Sequence, residues 1–144
     1  MPHVKTSIMI SADPKDVYEI AKDMPSYPDF MDDVESVEVI EEEEGSTNTK
    51  WVVRLQGRKM EWTEKDEFDE ENLVIRYAQI KGDLKKFEGA WTFQPVSEGT
   101  EVTLTVDFEF GIPMIAALLH PIAKVKVKEN CDMMLRGMKE KLED

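Results

Sequence analysis

Residues 50–110 read KWVVRLQGRKMEWTEKDEFDEENLVIRYAQIKGDLKKFEGAWTFQPVSEGTEVTLTVDFEF. Apolar and polar side chains alternate through this stretch in five runs, and period-two alternation marks strands with one buried face. Trp51, Val53 and Leu55 share a face of the first run. A turn at Gly57-Arg58 pairs Leu55 with Met60, which sets Val53 opposite Trp62 and Trp51 opposite Glu64. The turn Asp69-Glu70-Glu71-Asn72 pairs Phe68 with Leu73, and so places Asp66 by Ile75, Glu64 by Tyr77 and Trp62 by Gln79. A three-residue loop from Gly82 through Leu84 pairs Gln79 with Phe87, Tyr77 with Gly89 and Ile75 with Trp91. A two-residue loop there would turn Phe87, Trp91 and Phe93 outward. The last turn, around Ser97-Glu98-Gly99-Thr100, pairs Phe93 with Val102, Trp91 with Leu104 and Phe87 with Phe108. One phase satisfies every hairpin, and the opposite face collects Glu61, Thr63, Lys65, Glu67 and Arg76, as a solvated face should.

The flanks extend the pattern. Val4, Thr6, Ile8 and Ile10 alternate with Lys5, Ser7 and Met9 as a first strand. Asp13-Pro14 opens a helix, with Asp13 as the cap and Pro14 at the first helical position, and Pro25 ends it. Ser26 to Met31 forms a second short helix or turn anchored by Phe30 and Met31. Val34 to Glu41 is the second strand, with Val37 and Val39 on one face. After Gly111-Ile112-Pro113, the residues Met114, Leu118, Ile122, Val125, Met133 or Met134, Met138 and Leu142 recur at helical spacing. That predicts one long helix over residues 112–142, kinked or divided at Pro121.

The chain has 144 residues, enough for a single domain over 1–144 with one core. Its 31 acidic and 18 basic residues give a net charge of -13. Nucleic acid and anionic lipid are therefore poor partners, since both are bound by clustered Lys and Arg. With one cysteine, Cys131, no intrachain disulfide forms. The start carries no signal-peptide core, and no apolar run approaches the roughly 18 residues that span a bilayer. A cytoplasmic protein without stable membrane insertion is expected, and homodimerisation stays open. Glu41 to Glu44 reads as a solvated hairpin end.

Strand, two short helices, six-strand meander and long closing helix make an α+β chain. That order resembles the helix-grip fold of the START and pollen-allergen-like superfamily. Within it, the chain is similar to the polyketide cyclase/dehydrase and coenzyme-Q-binding START-like families. The resemblance is carried by Ile10-Ser11-Ala12-Asp13-Pro14-Lys15-Asp16-Val17-Tyr18, by Tyr27-Pro28-Asp29-Phe30, by Gly89-Ala90-Trp91-Thr92-Phe93 with Gly99-Thr100, and by Val106-Asp107-Phe108-Glu109-Phe110. It implies a seven-stranded curved antiparallel sheet wrapped on the C-terminal helix, with a hydrophobic cavity between them. The inward residues then become candidate lining: Trp51, Val53, Met60 and Trp62 from the first hairpin, and Tyr77, Phe87, Trp91 and Phe108 from the later strands. Met114, Leu118 and Ile122 join them from the helix. The alternative is that these side chains only fill one another's gaps.

Two carboxylates, Glu64 and Asp66, fall on the inward face beside Tyr77 and Gln79. Alternate strand positions point the same way, roughly 7 Å apart. A carboxylate there is costly unless paired or wet. Three readings stay open: a hydrated mouth, groups that orient a ligand's polar end, or acid/base catalysts. No Cys/His cluster has metal-ligand spacing and no phosphate-binding glycine loop occurs, so neither a metal nor a cofactor is expected. Of the two histidines, His3 and His120, the second lies by Pro121 and is read as a surface residue. Cys131 reads as an inert buried thiol.

The resulting expectation is a protein that binds a hydrophobic small molecule such as a lipid, isoprenoid quinone or polyketide. Glu64, Asp66, Tyr77 and Gln79 would fix its orientation, and 24–31 with 111–120 would gate entry. One alternative is a polyketide aromatase/cyclase or dehydratase using the cavity carboxylates. Another, from a member of the superfamily, is a ribosome-associated toxin-like interaction protein.

Overall fold

The computed structural model describes residues 2–55, 58–82, 84–109 and 113–143, with the backbone alone for 55, 58 and 113–120. Its strands are β1 (His3–Ile10), β2 (Val34–Glu43), β3 (Ser46–Leu55), β4 (Arg58–Asp69), β5 (Val74–Gly82), β6 (Lys86–Val96) and β7 (Gly99–Glu109). Helix α1 (Pro14–Lys22) and a 3₁₀ helix (Met24–Asp29) join β1 to β2, and α2 (Pro113–Glu143) closes the chain. The strands form one curved antiparallel sheet in the order β1-β7-β6-β5-β4-β3-β2. Consecutive strands from β2 to β7 are neighbours, so the meander builds itself from hairpins. β1 crosses over to pair with β7, and this places β1 and β2 at opposite edges.

The registers of β5 with β6 and of β6 with β7 are those expected, with Ile75 opposite Trp91 and Phe87 opposite Phe108. Two others differ by one side-chain repeat. Trp51 stands opposite Trp62, and Val53 opposite Met60, because Leu55 pairs with Arg58 rather than with Met60; the expected turn residue Gly57 lies outside the described residues. In the next hairpin Phe68 pairs with Ile75 and Asp66 with Tyr77. Asp69 holds that turn by accepting the Asn72 N–H at 3.0 Å, and Leu73 takes a positive φ of 54°. A slip of two leaves every side chain on its expected face. A bulge between Thr63 and Glu64 then brings Trp62 opposite Gly82 rather than Gln79.

Asp13 occupies the cap position of α1, but its side chain makes no capping bond. The helix buries Val17, Tyr18 and Ala21, and Met24 and Tyr27 of the 3₁₀ helix continue that layer. On β2, Val34 and Val37 are buried; Val39 shares the face of Val37, as expected, opposite Thr49, but is exposed on this edge strand. Helix α2 runs unbroken through Pro121. Its C-terminal half is tied to β1, where Thr6 donates to Asp132, Lys139 donates to the Met9 carbonyl at 2.8 Å, and Glu143 accepts the Ser11 N–H at 2.9 Å. At Gly137 the helix lies so close to the Phe30 carbonyl that a Cβ would collide with it. Cys131, Met134, Leu135 and Met138 therefore face the core, and Ile122, Val125 and Met133 do not.

Candidate functional site

Between the concave face of the sheet and α2 lies a cavity of about 70 Å³. The first hairpin supplies Trp51, Val53, Met60, Trp62 and Glu64; the later strands supply Tyr77, Phe87 and Trp91. These eight are among the residues expected from the sequence. Leu84, Leu104, Val106, Val127, Asn130, Cys131 and Met134 also line it. Of the remaining candidates, Phe108 is buried in the core without reaching the cavity, and Gln79 donates instead to the Leu84 carbonyl at 2.6 Å. Ile122 is 60% exposed, so it is not a lining residue. The side chains of Met114, Leu118 and His120, and residues 111 and 112 of the expected entry segment, lie outside the described residues.

One wall is aromatic. Trp51 and Trp62 stack with ring centroids 5.6 Å apart and planes 7° from parallel. Phe87 leans on Trp62 at 5.0 Å and on Tyr77 at 6.0 Å, and Tyr27 closes against Trp51 at 5.6 Å from below. Gly89 is what lets Tyr77 stand there. Its missing side chain leaves room for the Tyr77 hydroxyl, which would be 2.6 Å from a Cβ, to donate to the Thr105 carbonyl at 2.6 Å.

Glu64 and Asp66 are 3% and 0% exposed, so the hydrated-mouth reading does not describe them. Their surroundings form a connected polar network inside an apolar wall. The Trp62 indole N–H donates to Glu64 Oε1 at 2.7 Å. The Trp51 indole N–H donates to Thr49 Oγ1 at 2.8 Å, and that hydroxyl donates to Asp66 Oδ2 at 2.6 Å. Thr47 adds a second hydroxyl to the same oxygen at 3.2 Å. The two carboxyl groups also hydrogen-bond one another. A carboxyl–carboxyl bond needs a proton, and Asp66 Oδ1 has no hydroxyl or N–H donor among the described residues.

Burial raises Glu64 well above the usual carboxylate range, and the bond and charge of Asp66 raise it further. Burial also raises Asp66, though Glu64, Thr49 and Thr47 hold it down by donating to it. Cys131, on the facing helix, is pushed up to about 12 by burial, so it is a neutral thiol in the wall. Among the described residues no group of three or more His, Cys, Asp or Glu is arranged to hold a metal, and no helix is long and apolar enough to cross a membrane.

The sequence profile of the family described as polyketide cyclase / dehydrase and lipid transport matches residues 10–134. The chain belongs to that family. Among solved structures, this family member is similar to TTHA0849 from Thermus thermophilus, at 37% identity and a TM-score of 0.92 over 98% of this chain and 97% of the other. It shares its fold with the ZhuI aromatase/cyclase from Streptomyces sp. R1128, at 22% identity and a TM-score of 0.89 over 98% and 93% of the two chains. Among curated proteins, it is 25% identical to the ribosome association toxin RatA of Escherichia coli K12 over 80% of this chain and 73% of the toxin.

Proposed function

We propose that this protein binds an apolar or amphipathic small molecule in the cavity between the sheet and α2. The observation that carries this reading is the cavity itself: aromatic and aliphatic on nearly every side, with Glu64 as the one acidic or basic residue among its described lining. Lipid transport in the family's description agrees with it. Burying apolar ligand surface contributes about 25 cal/mol per Å² before the costs of association. Few polar groups are then needed, and those present fix orientation. The test is solvent extraction of the purified protein followed by mass spectrometry, together with displacement of a neutral dye, Nile red. A stoichiometric apolar extract or saturable displacement is expected; neither being found overturns the reading.

A second reading is favoured by one observation, the buried carboxyl of Glu64 at the cavity wall, which burial raises above the usual carboxylate range. In a cyclase, Glu64 would give its proton to a ketone oxygen as an enol carbon of the same bent chain attacks the ketone carbon. The proton lost from the enol would return to the carboxylate. Glu64→Gln then abolishes cyclisation of a poly-ketone substrate with little change in thermal stability; full turnover in that variant rules the reading out. The toxin relative's name raises a ribosome-directed role, against which stands the net charge of -13. Co-sedimentation with ribosomal subunits at low salt checks it.

A further inference from the structure

We propose that the polar group this cavity takes is a cation, the ammonium head of an amphipathic amine, held by Glu64 at the cavity wall, with Asp66 buried behind it, and by the π faces beside it. This rests on the ligand-binding reading above and names the ligand class. The cavity wall offers little to an anionic head. The indole N–H groups of Trp51 and Trp62 and the phenol of Tyr77 are all spent on protein acceptors, Thr49, Glu64 and the Thr105 carbonyl. Asn130 is neutral, and one N–H of its amide donates to Asp33 at 3.4 Å. No lysine, arginine or histidine is among the described lining residues. A carboxylate or phosphate head would meet π faces and an acidic group, and nothing positive.

The acidic pair also lacks a counter-charge among the described residues. Any negative charge that Glu64 and Asp66 carry is buried, with only neutral donors around it: Trp62, Thr49 and Thr47. Neither Glu64 nor Asp66 enters any ion pair among the described residues. Asp66 Oδ1 is buried with no N–H or hydroxyl partner there. A buried charge of this kind is costly until a counter-charge arrives, and a ligand that brings one gains what the protein alone forgoes. The aromatic wall suits a cation as well. Trp62 and Phe87 sit 5.0 Å apart beside Glu64, with Trp51 stacked behind, and indole faces attract ammonium groups.

The test compares three probes with the same eight-carbon chain, n-octylamine, n-octanol and n-octanoate, as displacers of Nile red at neutral pH. The amine is expected to displace the dye at about tenfold lower concentration than the alcohol, with octanoate weakest. Since either amide alone leaves one ionisable carboxyl, the variant that removes the charge is the double one, Glu64→Gln with Asp66→Asn. In it the amine's advantage over octanol should fall to within about twofold. Octanoate matching the amine in the wild-type protein, or an undiminished amine advantage in the double variant, overturns the proposal while leaving the cavity a binding site. If Nile red does not bind at all, the ligand-binding reading fails and this inference fails with it.

Discussion

Trp51 and Trp62 stand directly opposite one another on β3 and β4, stacked 7° from parallel, and their indole N–H groups point into the same buried acidic network by two routes. Trp62 reaches Glu64 directly; Trp51 reaches Asp66 through the Thr49 hydroxyl. The stack thus builds the cavity wall and supplies the hydrogen bonds that make buried carboxyls tolerable. In a connected polar network of this kind, losing one donor is felt by the rest.

Trp62→Phe keeps most of the ring but removes the donor to Glu64. It should destabilise the fold by about 1–3 kcal/mol, the cost of stranding a buried acceptor. Urea unfolding measures this. A loss no larger than that of an exposed aromatic would mean that the Trp62–Glu64 bond contributes nothing.

Stability should depend on pH through the same pair. Glu64 and Asp66 both have folded-state values raised above the ordinary 4.5 and 3.8. A raised value means that the folded state holds protons the unfolded chain releases. The contribution is therefore fully present below the unfolded values and is lost as pH rises through the folded ones. The double amide variant, Glu64→Gln with Asp66→Asn, lacks this dependence. The difference in Tm, wild type minus variant, should fall as pH is raised from about 4 toward 8. A difference that stays flat or grows would show that the pair is not held protonated.

Gly89→Ala places a methyl group against the Thr105 carbonyl and the Tyr77 hydroxyl. The first of these is backbone in the middle of β7 and cannot swing aside, so a loss of about 3 kcal/mol is expected, with weaker Nile red binding as Tyr77 shifts. Wild-type stability in this variant would contradict the close approach.

Cys131 should be silent toward a thiol reagent at pH 8 in the folded protein, since its thiol lies near 12 and the residue is buried. Full reaction is expected on unfolding in guanidinium. Prompt labelling of the folded chain would mean that the cavity wall opens readily at α2.

Much of this was legible in the sequence, for a reason the registers make plain. Alternation along β4 puts Trp62, Glu64 and Asp66 on one face whatever the pairing, so a slip of two residues in two hairpins left the inward set intact. Which residues touch across the strands was not legible. The route from Trp51 through Thr49 to Asp66 depends on Thr49 lying opposite Glu64 rather than two positions away, and that follows from Leu55 pairing with Arg58. In the next hairpin the register goes with Leu73 at φ 54°, a conformation nothing in its residue type announces. The helix was read less well. Methionines, valines and isoleucines surround α2 on several sides, so its rotation could not be taken from periodicity. Contacts with β1 and the close approach at Gly137 turn Cys131 and Met134 inward and leave Ile122 outside.

The most direct test of the binding claim is a titration of the protein with Nile red, following tryptophan emission and dye emission together. Trp51, Trp62 and Trp91 all line the cavity, so a dye bound there must quench them as its own emission rises. The account predicts one saturable site, with both signals giving the same dissociation constant and octylamine reversing both. Dye emission that never saturates, or that rises without tryptophan quenching, would contradict it.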